Sequence, residues 1–171
     1  MLLEIKDCLM DLHEEDVSNM LAGREFGRVY PYAVNYVMEM LMIILNEKQD
    51  REPDRWAMHL RVCFGLTDVK DYDKSACYAE FMKKLNEYDY TTIDSKLLQS
   101  IQYEMNHFTS LRGGKFTSEV LEETHEVCAT LGNWISVWYK AGKISFKIGT
   151  IEKDMAEKKA IADAEHERKM E

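Results

Sequence analysis

The sequence predicts an all-α fold: a compact helical head of five to six helices on an antiparallel two-helix coiled-coil stalk. Three observations carry this. The last third of the chain, from Phe116 to Glu171, keeps one helical periodicity and contains no proline. The first dozen residues carry a second stripe of the same kind. Only 2 prolines and 8 glycines occur in 171 residues, too few for a turn-rich β fold.

The long segment reads as one unbroken helix. Val127, Thr130, Trp134, Val137, Ala141, Ile144, Ile148, Ile151, Met155 and Ala162 recur at alternating steps of three and four, apart from one step of seven that passes over Lys158. Such an a/d seam drives one helix against another along a narrow stripe. About fifty residues at 1.5 Å each make a rod of roughly 75 Å. Its first half can pack on the rest of the chain; its second half needs another helix. At the other end Leu2, Ile5, Leu9 and Leu12 repeat at three, four, three and stop near His13. Pairing the two segments antiparallel divides the chain into an outgoing stalk helix (1–15), a head (16–138) and a returning stalk helix (139–171). The stalk seam is then Leu2, Ile5, Leu9 and Leu12 against Ala141, Ile144, Ile148, Ile151 and Met155.

Within the head, Asp16 to Val29 reads as a loop holding Gly23, Arg24, Gly27 and Arg28. Pro31 suits the first turn of a helix, where its missing N–H costs nothing. From Ala33 to Leu45 almost every position is apolar, and a helix greasy nearly all round belongs in the middle of a domain. Asp54 can cap a short helix that Gly65 ends, with Trp56, Leu60 and Cys63 inward. Ser75 can cap the next, whose apolar face is Cys77, Tyr78, Phe81, Met82 and Leu85. Asp94 can cap another with Leu97, Leu98, Ile101 and Met105 inward. A glycine-bearing loop through Gly113, Gly114 and Lys115 leads to Thr117 or Ser118, either of which can start the long helix. Trp134 on that helix is expected to bury itself against the core helix Ala33–Leu45.

Composition excludes several classes. The net charge of −9 argues against free nucleic acid or an anionic membrane as partner for the whole surface. The longest apolar run, Met38 to Leu45, contains Glu39 and is too short to span a bilayer, and the N-terminus lacks a signal-peptide pattern. Cys8, Cys63, Cys77 and Cys128 are scattered without CxxC spacing and read as reduced cytosolic thiols. His13, His59, His107, His125 and His166 make no metal-binding motif. No carboxylate pair stands out as an acid and base, and Gly113-Gly114-Lys115 is too short to cradle phosphates. No catalytic, cofactor or metal residue is expected, and the chain itself is not expected to be an enzyme.

Read in order, these elements resemble the microtubule-binding domain and distal stalk of dynein heavy chains. Asp16-Val17-Ser18 looks like the Asp-Ile-Ser found where that family's outgoing stalk helix meets the head. Arg28 ahead of Tyr30-Pro31 is similar to the basic residue before its proline pair. Ala33-Val34 through Val37-Met38-Glu39 matches its first head helix and Trp56 the tryptophan of its second. Leu85-Asn86-Glu87-Tyr88-Asp89, then Ile93, resembles the Leu-x-x-Tyr-Asp…Ile between its third and fourth. Phe116 and Leu131-Gly132-Asn133-Trp134-Ile135 stand where the family has a Phe and a Leu-Cys-x-Trp-Val. The resemblance covers nearly the whole chain. Residues 64–76 and the loop 111–115 look longer than the family's, and Ser145-Phe146-Lys147 replaces its usual proline.

The resemblance implies a track-binding head whose affinity follows the register of two stalk helices, with ATP hydrolysis elsewhere in a larger motor chain. The partners implied are the microtubule and the remainder of the heavy chain, in the cytoplasmic or ciliary-axonemal cytoskeleton. Arg24, Arg28, Lys83, Lys84, Arg112 and Lys115 are the candidate microtubule contacts, expected to converge at the tip. Glu119, Glu122, Glu123 and Glu126 suit a helix N-terminus but oppose an acidic track. The competing reading is a free-standing helical scaffold that dimerises through the same seam and binds no microtubule. A weaker third is a small helical enzyme built on the head's cysteines and histidines.

Overall fold

The structure, a computed structural model, describes residues 6–25, 32–46, 54–67, 70–112, 115–122 and 126–170. Every element among them is helical: α1 (Glu14–Glu25), α2 (Tyr32–Leu45), α3 (Arg55–Phe64), α4 (Lys74–Asn86), a 3-10 turn (Tyr90–Thr92), α5 (Ser95–Arg112), α6 (Ser118–Glu122) and α7 (Glu126–Met170).

The greasy run becomes the centre of the molecule. Val34, Val37, Met38, Met40, Leu41, Met42 and Ile44 of α2 are all buried, and the helix packs against α3, α5 and α7. Three methionines in this helix, Met38, Met40 and Met42, give it unbranched side chains that fit irregular neighbours. Around it, the caps follow local chemistry. Asp54 Oδ1 accepts the Ala57 N–H at 3.2 Å to start α3. At the other end Gly65 takes φ +66°. Its N–H donates to the Arg61 carbonyl and that of Leu66 to the Leu60 carbonyl, each at 3.0 Å. That pair of bonds satisfies two terminal carbonyls of α3. Asp94 Oδ1 accepts the Leu97 N–H at 2.8 Å to start α5, which buries Leu98, Ile101 and Phe108.

Four expectations need correction. The segment from Asp16 to Val29 is not a loop as far as Glu25, because residues 14–25 are α1. Glu14, Glu15 and Asp16 fill its first turn, where carboxylates suit the helix dipole. The His13 N–H donates back to Asp16 Oδ2 at 2.9 Å. Val17, Met20 and Leu21, spaced i, i+3, i+4, are buried; Gly27, Arg28 and Pro31 lie outside the described residues. Second, α4 starts at Lys74 and is capped by Asp73, whose Oδ1 accepts the Ala76 N–H at 3.1 Å. Ser75 falls inside the first turn, where its hydroxyl donates to the Glu14 carboxylate at 3.2 Å and ties α4 to α1.

Third, the outgoing stripe does not run as a helix to His13. Residues 6–8 are helical, and the chain then turns, with the Leu9 N–H on the Lys6 carbonyl and the Leu12 N–H on the Leu9 carbonyl, both 3.1 Å. These are tight i to i−3 bonds. Leu9 and Leu12 are buried in the head's core, so they serve the head; Leu2 and Ile5 lie outside the described residues.

Fourth, Phe116 to Glu171 is not one straight helix. Thr117 Oγ1 accepts the Val120 N–H at 3.4 Å, capping the short α6. Leu121 of α6 then lies on Gly132 of α7, so close that a Cβ on Gly132 would sit 2.2 Å from Leu121 Cδ1. On one continuous helix those residues would be about 16 Å apart along the axis. The chain therefore folds back between α6 and α7, with Phe116 also reaching the Gly132 position and meeting Phe108 edge-on at 5.4 Å.

Within the head, α7 buries Val127, Cys128, Leu131, Gly132, Trp134, Ile135, Trp138 and Gly142. Trp134 is fully buried, as expected, and α7 does pack on α2. Tyr88, just after α4, meets Trp134 at 6.4 Å and Trp138 at 6.1 Å, both edge-on. Gly142 admits Ile93 and Leu98, which would stand 3.0 Å from a Cβ there. From Lys143 to Met170 every residue is exposed. Among the described residues no helix is long and apolar enough to cross a membrane.

Candidate functional site

The exposed part of α7 carries the seam read from the sequence. Ile144, Ile148, Ile151 and Met155 are 43%, 51%, 57% and 65% exposed, although they continue an unbroken heptad spacing. Their stripe is not a continuation of the face that α7 buries in the head. At about 100° per residue the two faces lie roughly 140° apart around the helix. The buried stripe extended past Gly142 would use Ser145, Gly149, Glu152 and Ala156, none of which suits a core. The apolar side of the rod thus points away from the head's own packing face.

The N-terminal segment reaches that same side. Asn133 Nδ2 lies 3.3 Å from Cys8 Sγ, and Asn133 precedes Ile151 by eighteen residues, about five whole turns. Residues 6–8 therefore cross α7 on the side from which the exposed stripe later projects. Tyr78 Oη donates to the Leu12 carbonyl at 2.7 Å and fixes the chain where it turns into α1. Of the seam positions inside the head, Val127 and Trp134 are buried in the core, while Thr130, Val137 and Ala141 are only partly buried.

The candidate basic residues have different surroundings. Lys83 on α4 and Lys115 after α5 are exposed. Lys84 instead turns inward, its Nζ donating to the Val62 carbonyl at 3.0 Å, near the end of α3 where an ammonium suits the dipole. Lys84 also lies close enough to Cys63 and Cys77 to act on both thiols. Arg24 is the last residue but one of α1 and Arg112 the last of α5, with side chains outside the described set, as Arg28 is. Glu119, Glu122 and Glu126 are exposed around the break between α6 and α7; Glu123 lies outside the described residues.

Three of the cysteines, Cys63, Cys77 and Cys128, are buried. Burial pushes the Cys63 and Cys128 thiols up to about 12, so neither is a thiolate at neutral pH. Tyr90, in the 3-10 turn, is likewise pushed up to about 12, first by burial and then by Tyr88 and Cys8.

One cluster escaped the sequence reading. Glu39, the only acid in the greasy α2, ion-pairs with Arg55 of α3 and receives His59 Nε2 at 2.7 Å. His59 is 4% exposed. The signal was a charged residue in an otherwise apolar helix, which a buried partner has to match. Its partners lie sixteen and twenty residues away, beyond the reach of helical spacing.

No family model, curated protein or solved structure matches this chain.

Proposed function

We propose that this chain is a microtubule-binding head with its distal stalk, belonging to a motor heavy chain similar to dynein. One observation carries the reading: a heptad stripe of Ile144, Ile148, Ile151 and Met155 stands exposed on the same side of α7 that residues 6–8 cross at Asn133. A second helix arriving through the N-terminal segment would cover that stripe and lead straight into the head. The head's core elements in order, with Trp134 and Tyr88 meeting at its centre, fit the resemblance drawn from the sequence.

In this reading the outgoing helix moves against the exposed stripe, and the movement enters the head at Cys8 and Leu9. Lys83 and Lys115, both exposed, contact the acidic track, with Arg24, Arg28 and Arg112 as further candidates, and Lys84 supports the fold. Long-range attraction between such a basic set and tubulin is sensitive to salt. The partners are the microtubule and the rest of the motor chain, in the cytoskeleton.

The test is co-sedimentation with microtubules at two salt concentrations. Lys83→Glu with Lys115→Glu should abolish pelleting without changing the melting temperature, because both side chains are exposed. Glu119→Lys with Glu122→Lys should strengthen it. Pelleting that ignores both changes overturns the proposed patch. Ile148→Lys with Ile151→Lys separates the scaffold reading. Were the chain a dimer through this stripe, those changes would turn a dimer into a monomer in sedimentation equilibrium, whereas a motor head is monomeric with or without them.

A further inference from the structure

A cavity of about 230 Å³ opens between α2, α3 and α5, lined by Asn35, Tyr36, Glu39, Arg55, His59 and Glu104. Its described lining includes neither the exposed stripe nor Lys83, Lys84 or Lys115. Its polar groups are unequally matched. Glu39 is committed: Arg55 and His59 each take one of its carboxylate oxygens. Glu104 has no hydrogen bond or ion pair among the described residues, yet its carboxylate is half-buried. Burial raises its pKa first and the charge of Glu39 raises it further, while His107 and Arg55 only partly oppose this. The lining thus sets two carboxyl groups, Glu39 and Glu104, beside the one guanidinium of Arg55, which is already bonded to Glu39.

The wall opposite is aromatic and held in place. Tyr36 Oη shares a hydrogen bond with His107 Nδ1 at 2.9 Å, and the Tyr36 ring meets Phe108 edge-on at 5.6 Å. His107 is in turn stacked on Tyr103 at 5.8 Å. The Tyr36 ring is therefore braced by α5 on two sides and does not need to be ordered by a guest. Asn35 at the rim is exposed, and its carboxamide makes no hydrogen bond among the described residues.

We propose that this cavity is a receptor for a guanidinium group, the side chain of an arginine presented by a partner polypeptide. A fixed aromatic face, a carboxylate without a partner and a carboxamide acceptor are the three contacts that a planar, fivefold donor uses together. Guanidinium lies flat on an aromatic ring and forms paired bonds to a carboxylate. A compact ammonium would reach Glu104 without using the ring as fully. Placement on α2, α3 and α5 sets the receptor on the elements that pack around the core helix, so an occupant would also clamp those three helices together.

The experiment uses the whole chain and a single-residue probe, N-acetyl-arginine amide, with N-acetyl-citrulline amide as the uncharged analogue of the same shape. Side-chain NMR signals of Asn35 and Glu104 are followed through the titration. The expected result is saturable shifts at both residues, with a dissociation constant on the order of millimolar for one side chain and no saturation with citrulline. Glu104→Gln should weaken arginine binding at least tenfold while the protein stays folded, and Asn35→Ala should weaken it less. Absence of saturable shifts, equal response to citrulline, or unchanged affinity in Glu104→Gln overturns the proposal. None of these outcomes bears on microtubule pelleting, so this proposal and the motor reading fail separately.

Discussion

Trp134 offers a measurement that separates packing from polarity inside the head. It is fully buried, and its indole Nε1 has no hydrogen-bond partner among the described residues. Truncation to alanine leaves a large cavity and costs ~3–5 kcal/mol. Replacement by phenylalanine is a different perturbation. It removes about two ring carbons, worth roughly 1.6 kcal/mol at ~0.8 each. It also removes a buried donor whose lack of a partner costs about 1–3 kcal/mol. The edge-on contact with Tyr88 is one that a phenyl ring can also make, worth ~0.5–1.5 kcal/mol. The two main changes oppose each other, so Trp134→Phe should fall within about 1.5 kcal/mol of the wild type, on either side. Urea unfolding followed by intrinsic fluorescence, to which Trp138 still contributes, gives both variants on one scale, with unchanged m-values expected. Should Trp134→Phe cost as much as Trp134→Ala, the indole N–H is satisfied in solution and the reasoning fails.

Three other outcomes follow from single contacts. Lys84→Gln should lose about 1–3 kcal/mol of stability in a urea titration, because its ammonium bonds the Val62 carbonyl, so its effect on binding has to be read after that correction. Gly65→Ala should cost ~1 kcal/mol through its left-handed φ of +66° alone, since a Cβ there meets nothing within 4 Å, and Gly65→Asn should recover part of the lost melting temperature. Glu104→Gln should raise the melting temperature at pH 7. The folded-state pKa of Glu104 is raised, so the stability its neutral form contributes is full below the ordinary glutamate range and lost as pH rises through the folded value. Glutamine stays neutral throughout, and its advantage should shrink as melts are repeated towards pH 4.

The sequence made α2 legible because almost any arrangement must bury a helix apolar on all sides. Asp54, Gly65 and Asp94 were legible for another reason: a cap is decided within three or four residues. Asp73 displaced Ser75 because both can cap, and only the tertiary contact of Ser75 with Glu14 chooses between them. Residues 16–25 looked like part of a loop because Gly23 and Gly27 interrupt the stretch to Val29, while Val17, Met20 and Leu21 give barely one turn of apolar spacing. The break before α7 could not be read from periodicity. It depends on Leu121 finding the missing side chain of Gly132 across a fold in the chain. For the same reason the face that α7 packs inside the head, which adds Leu131, Ile135 and Trp138 to Val127 and Trp134, only partly coincides with the seam read from the sequence. The cluster at Glu39 and the cavity beside it depend on α2, α3 and α5 meeting, which no local pattern specifies.

The exposed stretch of α7 also changes what a melting curve of this protein means. From Lys143 to Met170 the helix touches no core and is held by its own backbone hydrogen bonds and the helix propensity of residues such as Ala156, Ala160, Ala162 and Ala164. Most helical stability in proteins comes from tertiary packing, and the helicity of an unpacked helix falls with temperature. Heating should therefore uncoil the rod gradually, starting from Met170, while the head is still intact. Far-ultraviolet dichroism would slope downward well before the tryptophan signal moves, and the two probes would disagree on the midpoint. A second helix laid on Ile144, Ile148, Ile151 and Met155 would remove that slope and bring the two curves together, so the shape of the baseline reports whether the rod has company.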